Sequence, residues 1–168
     1  MIILAALLAF ALPDDVLAIG RLDYPAWAQP IPHVLNPLVT PETLSTTICM
    51  KKHLPNGKTW IQDQRPPTSY TNKIKFALMD AAGIPRSQAG KWELDHVDPI
   101  ADGGSPTDPR NLRLQPWVGH LNAREKDKLE ASSHRAICAG RLTLDAAQHM
   151  LSDDWPAAYR AEFGKDPK

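Results

Sequence analysis

The sequence predicts a single domain of the α+β class, in which two short strands are followed and flanked by helices. Leu112 and Leu114 alternate with polar residues ahead of Pro116, which is typical of a short strand. Apolar residues recur at helical spacing between residues 71 and 82, and strong helix formers fill the middle of the segment 122–139. The 168 residues suffice for one compact domain with a tail.

The first eighteen residues contain the apolar run IILAALLAFAL, from Ile2 to Leu12. The run is too short to span a bilayer, but it suits the apolar centre of a secretory signal, with VLA at 16–18 as a cleavage context. No lysine or arginine precedes it, so a misassigned start or a buried N-terminal segment stays open as an alternative. We expect a secreted or periplasmic protein whose mature form has no membrane anchor.

Six prolines fall between Pro13 and Pro41. Proline removes backbone donors and favours extended conformations. This composition predicts a linker over residues 19–40, followed by the folded domain over residues 41–168.

The first elements of the domain are predicted from turn and cap signals. The stretches TTICM and KTWI flank Asn56–Gly57, which predicts a β-hairpin with its turn at that pair. A helix is predicted next, capped by Thr71 and ended by Gly83 and Pro85. Its apolar stripe, which we expect to pack on the domain, consists of Ile74, Ala77, Leu78 and Ala81.

The remaining elements are predicted in the order strand, long loop, strand and helix. The second strand begins near Asn111, and the helix after it ends at Gly140, a residue typical of a helix C-terminus. Two more helices are predicted at 144–151, behind Thr143, and at 155–163, behind Asp154.

Charge and cysteine content narrow the classes of partner. Nineteen basic residues balance nineteen acidic ones, so any contact with a polyanion must be local. Residues 51–75 form a basic segment with a single acid, Asp63, and this segment either tracks phosphates or is a solvated face. Cys49 and Cys138 can form at most one bridge, which in an oxidising compartment would stabilise the fold by about 4 kcal/mol.

One ordered set of residues carries the functional prediction. The stretch ELDHVDPIADGGSPTDPRNLRLQPW, followed by NAREKDKLE, resembles the HNH endonucleases, and most closely their small bacterial and phage members. The resemblance extends from about Thr47 to the end of the chain. It implies an α+β domain with a ββα-metal core and additional flanking helices. It also implies a metal-dependent endonuclease that hydrolyses phosphodiester bonds, with DNA as the favoured substrate.

The resemblance assigns a role to each residue of the motif. His96 is expected to be the general base, while Asp95 and Asn122 hold a divalent metal. Their oxygen ligands suit Mg²⁺ or Mn²⁺. Asn111 would hold the His96 ring or tie the loop. Many family members carry histidine in the third motif position, so His120 is an alternative to Asn122.

Two further expectations follow from these residues. Neighbours on an extended strand point to opposite sides, so Asp95 and His96 can share a site only if the strand bends or ends there. Lys126, Arg124 and Arg110 are expected to contact nucleic acid, with a surface-charge role as the alternative for the two helical residues.

Cofactor and function have explicit alternatives. Many HNH proteins use four cysteines to bind a structural zinc, which two cysteines cannot do, so no structural zinc is expected. The main rival function is a nucleic-acid-binding module that keeps the ββα shape without cleaving. A third reading of the chain is a secreted structural protein with an incidental motif.

Overall fold

The computed structural model describes residues 25–168. The expected signal segment 1–18 and the first residues of the expected linker lie outside this range. Within it the elements are α1 (Trp60–Gln64), α2 (Thr68–Ala81), β1 (Trp92–His96), β2 (Leu112–Pro116), α3 (Ala123–Cys138), α4 (Leu144–Ser152) and α5 (Trp155–Phe163). None of the helices in these residues is long and apolar enough to cross a membrane.

The two strands form an antiparallel pair. Trp92 lies opposite Pro116 at one end of the ladder, and His96 lies opposite Leu112 at the other. Helix α3 follows β2 along the chain after a short turn. The α+β class is therefore confirmed, and the described residues contain the order strand, strand, helix.

The three C-terminal helices begin and end where the capping residues predict. Asn122, Thr143 and Asp154 each accept a hydrogen bond from the backbone N–H three residues later, which satisfies one donor of the first helical turn. Gly140 and Gly164 follow α3 and α5 with positive φ angles, a conformation that glycine adopts without strain.

The predicted β-hairpin at residues 47–61 is wrong, although its turn exists. Leu54 N–H donates to the Lys58 carbonyl across Asn56–Gly57, at 2.8 Å. The chain after the turn forms α1 instead of a strand, because Thr59 and Gln62 make reciprocal side-chain bonds that start a helix. This local signal outweighs the alternation of apolar residues.

Helix α2 begins at Thr68, three residues before the predicted cap, and Met79 is its fully buried side chain. Ile74 and Leu78 of the predicted stripe are half-buried, while Ala77 and Ala81 face solvent. The helix packs beside the two strands along a narrower face than predicted.

Residues 25–40 were expected to be a linker, but they pack on the domain. Ala28 is buried in one core, and the Trp27 ring meets Trp92 edge to face with centroids 5.8 Å apart. Val39 is buried in the other core, and Leu35 forms an isolated β-bridge with Gly104. Proline fixes an extended backbone, which is compatible with packing.

Two apolar clusters stabilise the domain on either side of α3. The first consists of Ala28, Leu121, Leu129, Leu151, Trp155 and Tyr159. The second consists of Val39, Ile48, Trp60, Ile137, Leu144 and Ala147. A disulfide joins Cys49 to Cys138 at the end of α3, across 89 positions of sequence, and so ties the start of the domain to that helix.

The loop between the strands depends on a double glycine. Gly103 has φ +88°, and a Cβ on Gly104 would lie 1.8 Å from the Asp98 carbonyl oxygen. Any side chain at position 104 would therefore push the loop open. The close approach keeps residues 97–111 folded against the end of β1.

Candidate active site

A cleft of about 350 Å³ opens beside the end of β1. The sequence-predicted residues Asp95 and His96 both line it. Its other ionisable lining groups are three carboxyls and two cations, namely Glu93, Asp127, Glu130, Arg65 and Lys75. The cleft thus combines an imidazole with four carboxyl groups.

Asp95 and His96 reach the same cleft because β1 ends at His96. This meets the geometric condition that the sequence imposed on the pair. Asp95 is buried, and His96 is half-buried. Glu93 lies two residues before Asp95, and side chains at that spacing leave a strand on the same face.

The His96 ring is held by a backbone carbonyl. Its Nε2 lies 3.1 Å from the Pro106 oxygen. A carbonyl only accepts, so Nε2 must carry the proton, which leaves the lone pair of the neutral ring on Nδ1. Burial lowers the pKa of His96 below its ordinary value, and this outweighs the opposing effects of Pro106 and Asp95. A neutral ring with a bare nitrogen can accept a proton near neutral pH.

Asn111 ties the loop that carries this carbonyl, which is one of the two roles expected for it. Its side chain is fully buried. The amide nitrogen donates to the carbonyls of Asp98 and Ser105 at 2.9 and 2.8 Å, and the amide oxygen accepts from Asp98 N–H at 2.8 Å. The bond to Ser105 fixes the residue next to Pro106. Asn111 therefore acts on His96 through the loop.

Lys126 lies beneath the cleft, a position that differs from the expected phosphate contact. Its side chain is 3% exposed, and its ammonium lies 2.9 Å from Asp95 Oδ2 and 2.5 Å from Glu130 Oε1. It also donates to the His96 carbonyl at 2.8 Å. Burial alone would lower the pKa of Lys126, but the carboxylates of Asp95 and Glu130 hold it above its ordinary value.

The carboxyl groups of the cleft carry more negative charge than their surroundings compensate. Burial and the nearby Asp95 carboxylate together raise the pKa of Glu93 to about 8. Burial raises the pKa of Glu130 to about 7, although Lys126 opposes this. Glu93 Oε2 is buried without a hydrogen bond among the described residues, whereas Asp95 Oδ2 lies 2.9 Å from the Lys126 ammonium. The Glu93 oxygen therefore has unused capacity to bind a cation.

Asn122 lies apart from this cleft. Its side-chain oxygen caps α3 by accepting from Glu125 N–H, and its nitrogen donates to the carbonyls of Gly119 and Lys168 at 2.7 and 3.0 Å. It borders a separate depression together with the exposed His120. The structure therefore brings neither candidate for the third motif position, Asn122 or His120, to Asp95. The Asn122 amide is used by the helix cap.

The two expected arginines are exposed but outside the cleft lining. The Arg124 guanidinium stands 6.0 Å from the centre of the Trp117 ring. Arg110 pairs with Asp108 at 2.6 Å, which offsets its charge. Arg65 lines the cleft in their place, and it belongs to the basic segment 51–75.

Three acidic residues of the cleft were missed by sequence reasoning, although signals for them exist. Glu93 shares a strand face with Asp95. Glu130 lies one helical turn beyond Lys126, so the two meet on one face of α3. Asp127 lies at the exposed rim, where partial burial and the Asp95 carboxylate raise its pKa.

Side-chain groups with ligand atoms close enough to share a metal ion occur elsewhere in residues 25–168. One group is Cys49, His134 and Cys138, whose sulfurs are joined in the disulfide. The other is His33, His149 and Asp153, and His33 contacts Asp98 of the loop that follows β1. Both lie outside the cleft lining.

Comparison with known proteins adds no relative. No family model matches the chain, and neither the curated proteins nor the solved structures include a match.

Proposed function

We propose that this protein is a metal-dependent endonuclease of the HNH type, with the cleft at the end of β1 as its catalytic centre. One observation carries the proposal: Asp95 and His96 open onto the same cleft, on an antiparallel strand pair that α3 follows. The ordered motif that resembles the family supplies the reaction class, hydrolysis of a phosphodiester bond.

His96 acts as the general base in this proposal. Its Nε2 is occupied by the Pro106 carbonyl, so Nδ1 is the atom that takes a proton from water. The lowered pKa keeps the ring neutral and ready to accept at pH 7. Asn111 is a positioning residue, because its bonds hold the loop that presents Pro106.

The carboxylates of the cleft supply the ligand chemistry of a divalent cation with oxygen ligands. Glu93 Oε2 is buried without a hydrogen bond, and carboxylates are the ligands that Mg²⁺ and Mn²⁺ prefer. We assign Asp95 and Glu93, which share a strand face, to the metal in place of the expected pair of Asp95 and Asn122. Within residues 25–168 the cleft brings no third ligand atom within sharing distance of both, so water and phosphate oxygens would complete the coordination. A bound cation would neutralise phosphate charge and stabilise the leaving oxygen.

Lys126 has an electrostatic role beneath these ligands. Its buried ammonium lies 2.9 Å from Asp95 Oδ2 and so offsets negative charge among the carboxyl groups. Lys126 therefore supports the ligand rather than the nucleic acid.

Two cations of the cleft are available to contact the phosphates of a nucleic acid. Arg65 and Lys75 line the same cleft as His96, and both come from the basic segment 51–75, for which the sequence leaves phosphate contact and a solvated face as alternatives. Lys75 donates to the Trp92 carbonyl at 2.6 Å, which fixes its ammonium at the cleft. DNA is the favoured polymer, on the strength of the family resemblance.

The deciding experiment measures nicking of supercoiled plasmid DNA with Mg²⁺, with Mn²⁺ and with a chelator. We expect cleavage by the parent with either metal, and a loss of at least a hundredfold in His96→Ala. His120→Ala is the matched control, since His120 is exposed and outside the cleft, and it should cleave like the parent.

The rival function predicts a different result in the same assay. A non-catalytic nucleic-acid-binding module would shift the mobility of the plasmid without cutting it. Equal cleavage by the parent and His96→Ala would remove His96 from the mechanism. Loss of cleavage in His120→Ala would move the catalytic centre towards Asn122.

We also propose that the protein works in an oxidising compartment, secreted or periplasmic. The disulfide between Cys49 and Cys138 supports this, because such bridges persist outside a reducing cytosol. Thiol counting on protein isolated from its native compartment tests the proposal: two free thiols per chain would contradict it.

A further inference from the structure

Three side chains of types that bind metal ions, His33, His149 and Asp153, converge next to Asp98. His33 belongs to the extended segment before α1, while His149 and Asp153 lie one turn apart at the end of α4. His33 Nε2 lies 3.2 Å from His149 Nδ1, and Asp153 Oδ2 lies 2.9 Å from the same nitrogen. The other oxygen of Asp153 is 3.8 Å from His33 Nε2.

These distances suit a metal ion with tetrahedral coordination. Zinc bonds nitrogen at about 2.0–2.1 Å, so two nitrogens of a tetrahedral site stand about 3.3 Å apart. The observed 3.2 Å between the two ring nitrogens needs almost no adjustment. The carboxylate faces both rings and can supply the third ligand.

In each histidine, the ring nitrogen that faces away from the other histidine has an acidic partner. His33 Nδ1 lies 3.1 Å from Asp98 Oδ1, and the Asp98 side chain is fully buried. His149 Nε2 faces Asp145 Oδ1 at 3.8 Å. Metal-bound histidines usually donate their second N–H to such a carboxylate, which fixes the tautomer and leaves the inner nitrogen bare.

The group also differs from the cleft in ligand chemistry. Two imidazoles and one carboxylate suit Zn²⁺, whereas a cleft of carboxylates suits Mg²⁺. The expectation that no structural zinc is present rested on the cysteine count, and it did not consider residues 116 positions apart in sequence.

We propose that His33, His149 and Asp153 form a zinc site that ties the segment before α1 to helix α4. Asp98 connects this site to the fold in two further ways. Its second oxygen accepts from Val34 N–H at 2.8 Å, and its backbone N–H and carbonyl are both bonded by Asn111. The ion would thus connect the segment before α1 to helix α4, and Asp98 would connect both to the loop after β1. This site stands independently of the proposed nuclease activity.

The test titrates Zn²⁺ into the metal-stripped full chain by calorimetry, without reductant and with excess Mg²⁺. The disulfide then stays closed, and the oxygen ligands of the cleft are occupied. The parent should bind one Zn²⁺ per chain, and Co²⁺ in its place should give the visible absorption of a tetrahedral site. His149→Ala and Asp153→Asn should bind at least tenfold more weakly. Both positions are exposed, so the fold should survive each change.

His53→Ala is the matched control, because His53 is exposed and distant in sequence from the site, and it should bind like the parent. Zn²⁺ should also raise the thermal midpoint of the parent and of His53→Ala, but not that of His149→Ala. A parent that binds no Zn²⁺ would overturn the proposal. Binding that persists in His149→Ala and disappears in His96→Ala would overturn it as well, since the ion would then lie in the cleft.

Discussion

Replacing Lys126 by methionine tests how the charges beneath the cleft support the fold. The substitution keeps an unbranched side chain, one heavy atom shorter, and removes its charge. In the parent, the ammonium contacts Asp95, Glu130 and the His96 carbonyl at 2.5–2.9 Å, and the side chain is 3% exposed. The variant leaves two carboxyl groups without this cation.

The expected loss of unfolding free energy is about 4 kcal/mol at neutral pH. Removing one partner of a buried ion pair typically costs about 3–5 kcal/mol, because the remaining charge is uncompensated. The whole stability of a domain is only about 5–15 kcal/mol, so the variant should be close to unfolding at 37 °C. Urea denaturation followed by tryptophan fluorescence measures this difference.

Lys128→Met is the matched control on the same helix. Lys128 pairs with Glu125 at 2.8 Å, but its side chain is 55% exposed. Glu125 is itself 8% exposed, but it keeps the hydrogen bond from Tyr159 when Lys128 is replaced. Pairs with a solvated partner contribute about 1 kcal/mol or less, so this control should lose no more than that. A larger loss would mean that methionine itself disturbs α3.

The pH dependence separates a charge effect from a packing effect. Without the ammonium, the pKa of Glu130, about 7 in the folded parent, should rise further above its unfolded value of about 4. A carboxyl whose folded pKa is raised loses stability as the pH increases from the unfolded to the folded value. The deficit of Lys126→Met should therefore be larger at pH 8 than at pH 5. An equal deficit at both pH values, or none at all, would refute the electrostatic reasoning.

Three other changes test separate parts of the structure. Gly104→Ala should lower the unfolding free energy by more than about 3 kcal/mol, because its Cβ would lie 1.8 Å from a carbonyl oxygen. In the same denaturation assay Gly90→Ala is the control: its Cβ meets no atom within 4 Å, so the unfolding free energy should change by less than about 0.5 kcal/mol. Glu93→Gln should stabilise the metal-free protein, and its advantage should grow between pH 4.5 and 8, because the folded pKa of Glu93, about 8, lies above the ordinary glutamate value of 4.5. Parallel stability curves of parent and variant would contradict this. Replacing Cys49 and Cys138 by alanine should lower the unfolding free energy by about 4 kcal/mol, and an unchanged thermal midpoint would show that the bridge constrains little.

Local signals explain why most of the fold was predictable. The caps at Thr143 and Asp154 define α4 and α5 from neighbouring residues alone. The alternation around Leu112 and Leu114 likewise predicts β2. The hairpin prediction failed because an apolar run also fits a short helix, and the capping box at Thr59 decides between the two.

The candidate site was only partly predictable because its charges come from distant segments. Asp95 and His96 are adjacent in sequence, so the motif marks both. The exclusion of Asn122 from the cleft depends on its cap and on the Lys168 carbonyl, 46 residues later. Helical spacing places Lys126 on the same face of α3 as Asn122, but its burial next to Asp95 depends on how α3 packs in the fold. The position of His33 beside His149 has no signal in local sequence at all.

The central claim is that the imidazole of His96 removes a proton during cleavage of a phosphodiester bond. Single-turnover cleavage of a plasmid by His96→Gly, with and without added imidazole, tests it most directly. We expect a rate at least a hundredfold below the parent, with partial recovery when free imidazole enters the vacated part of the cleft. Cleavage by His96→Gly at the parental rate, without imidazole, would contradict the claim.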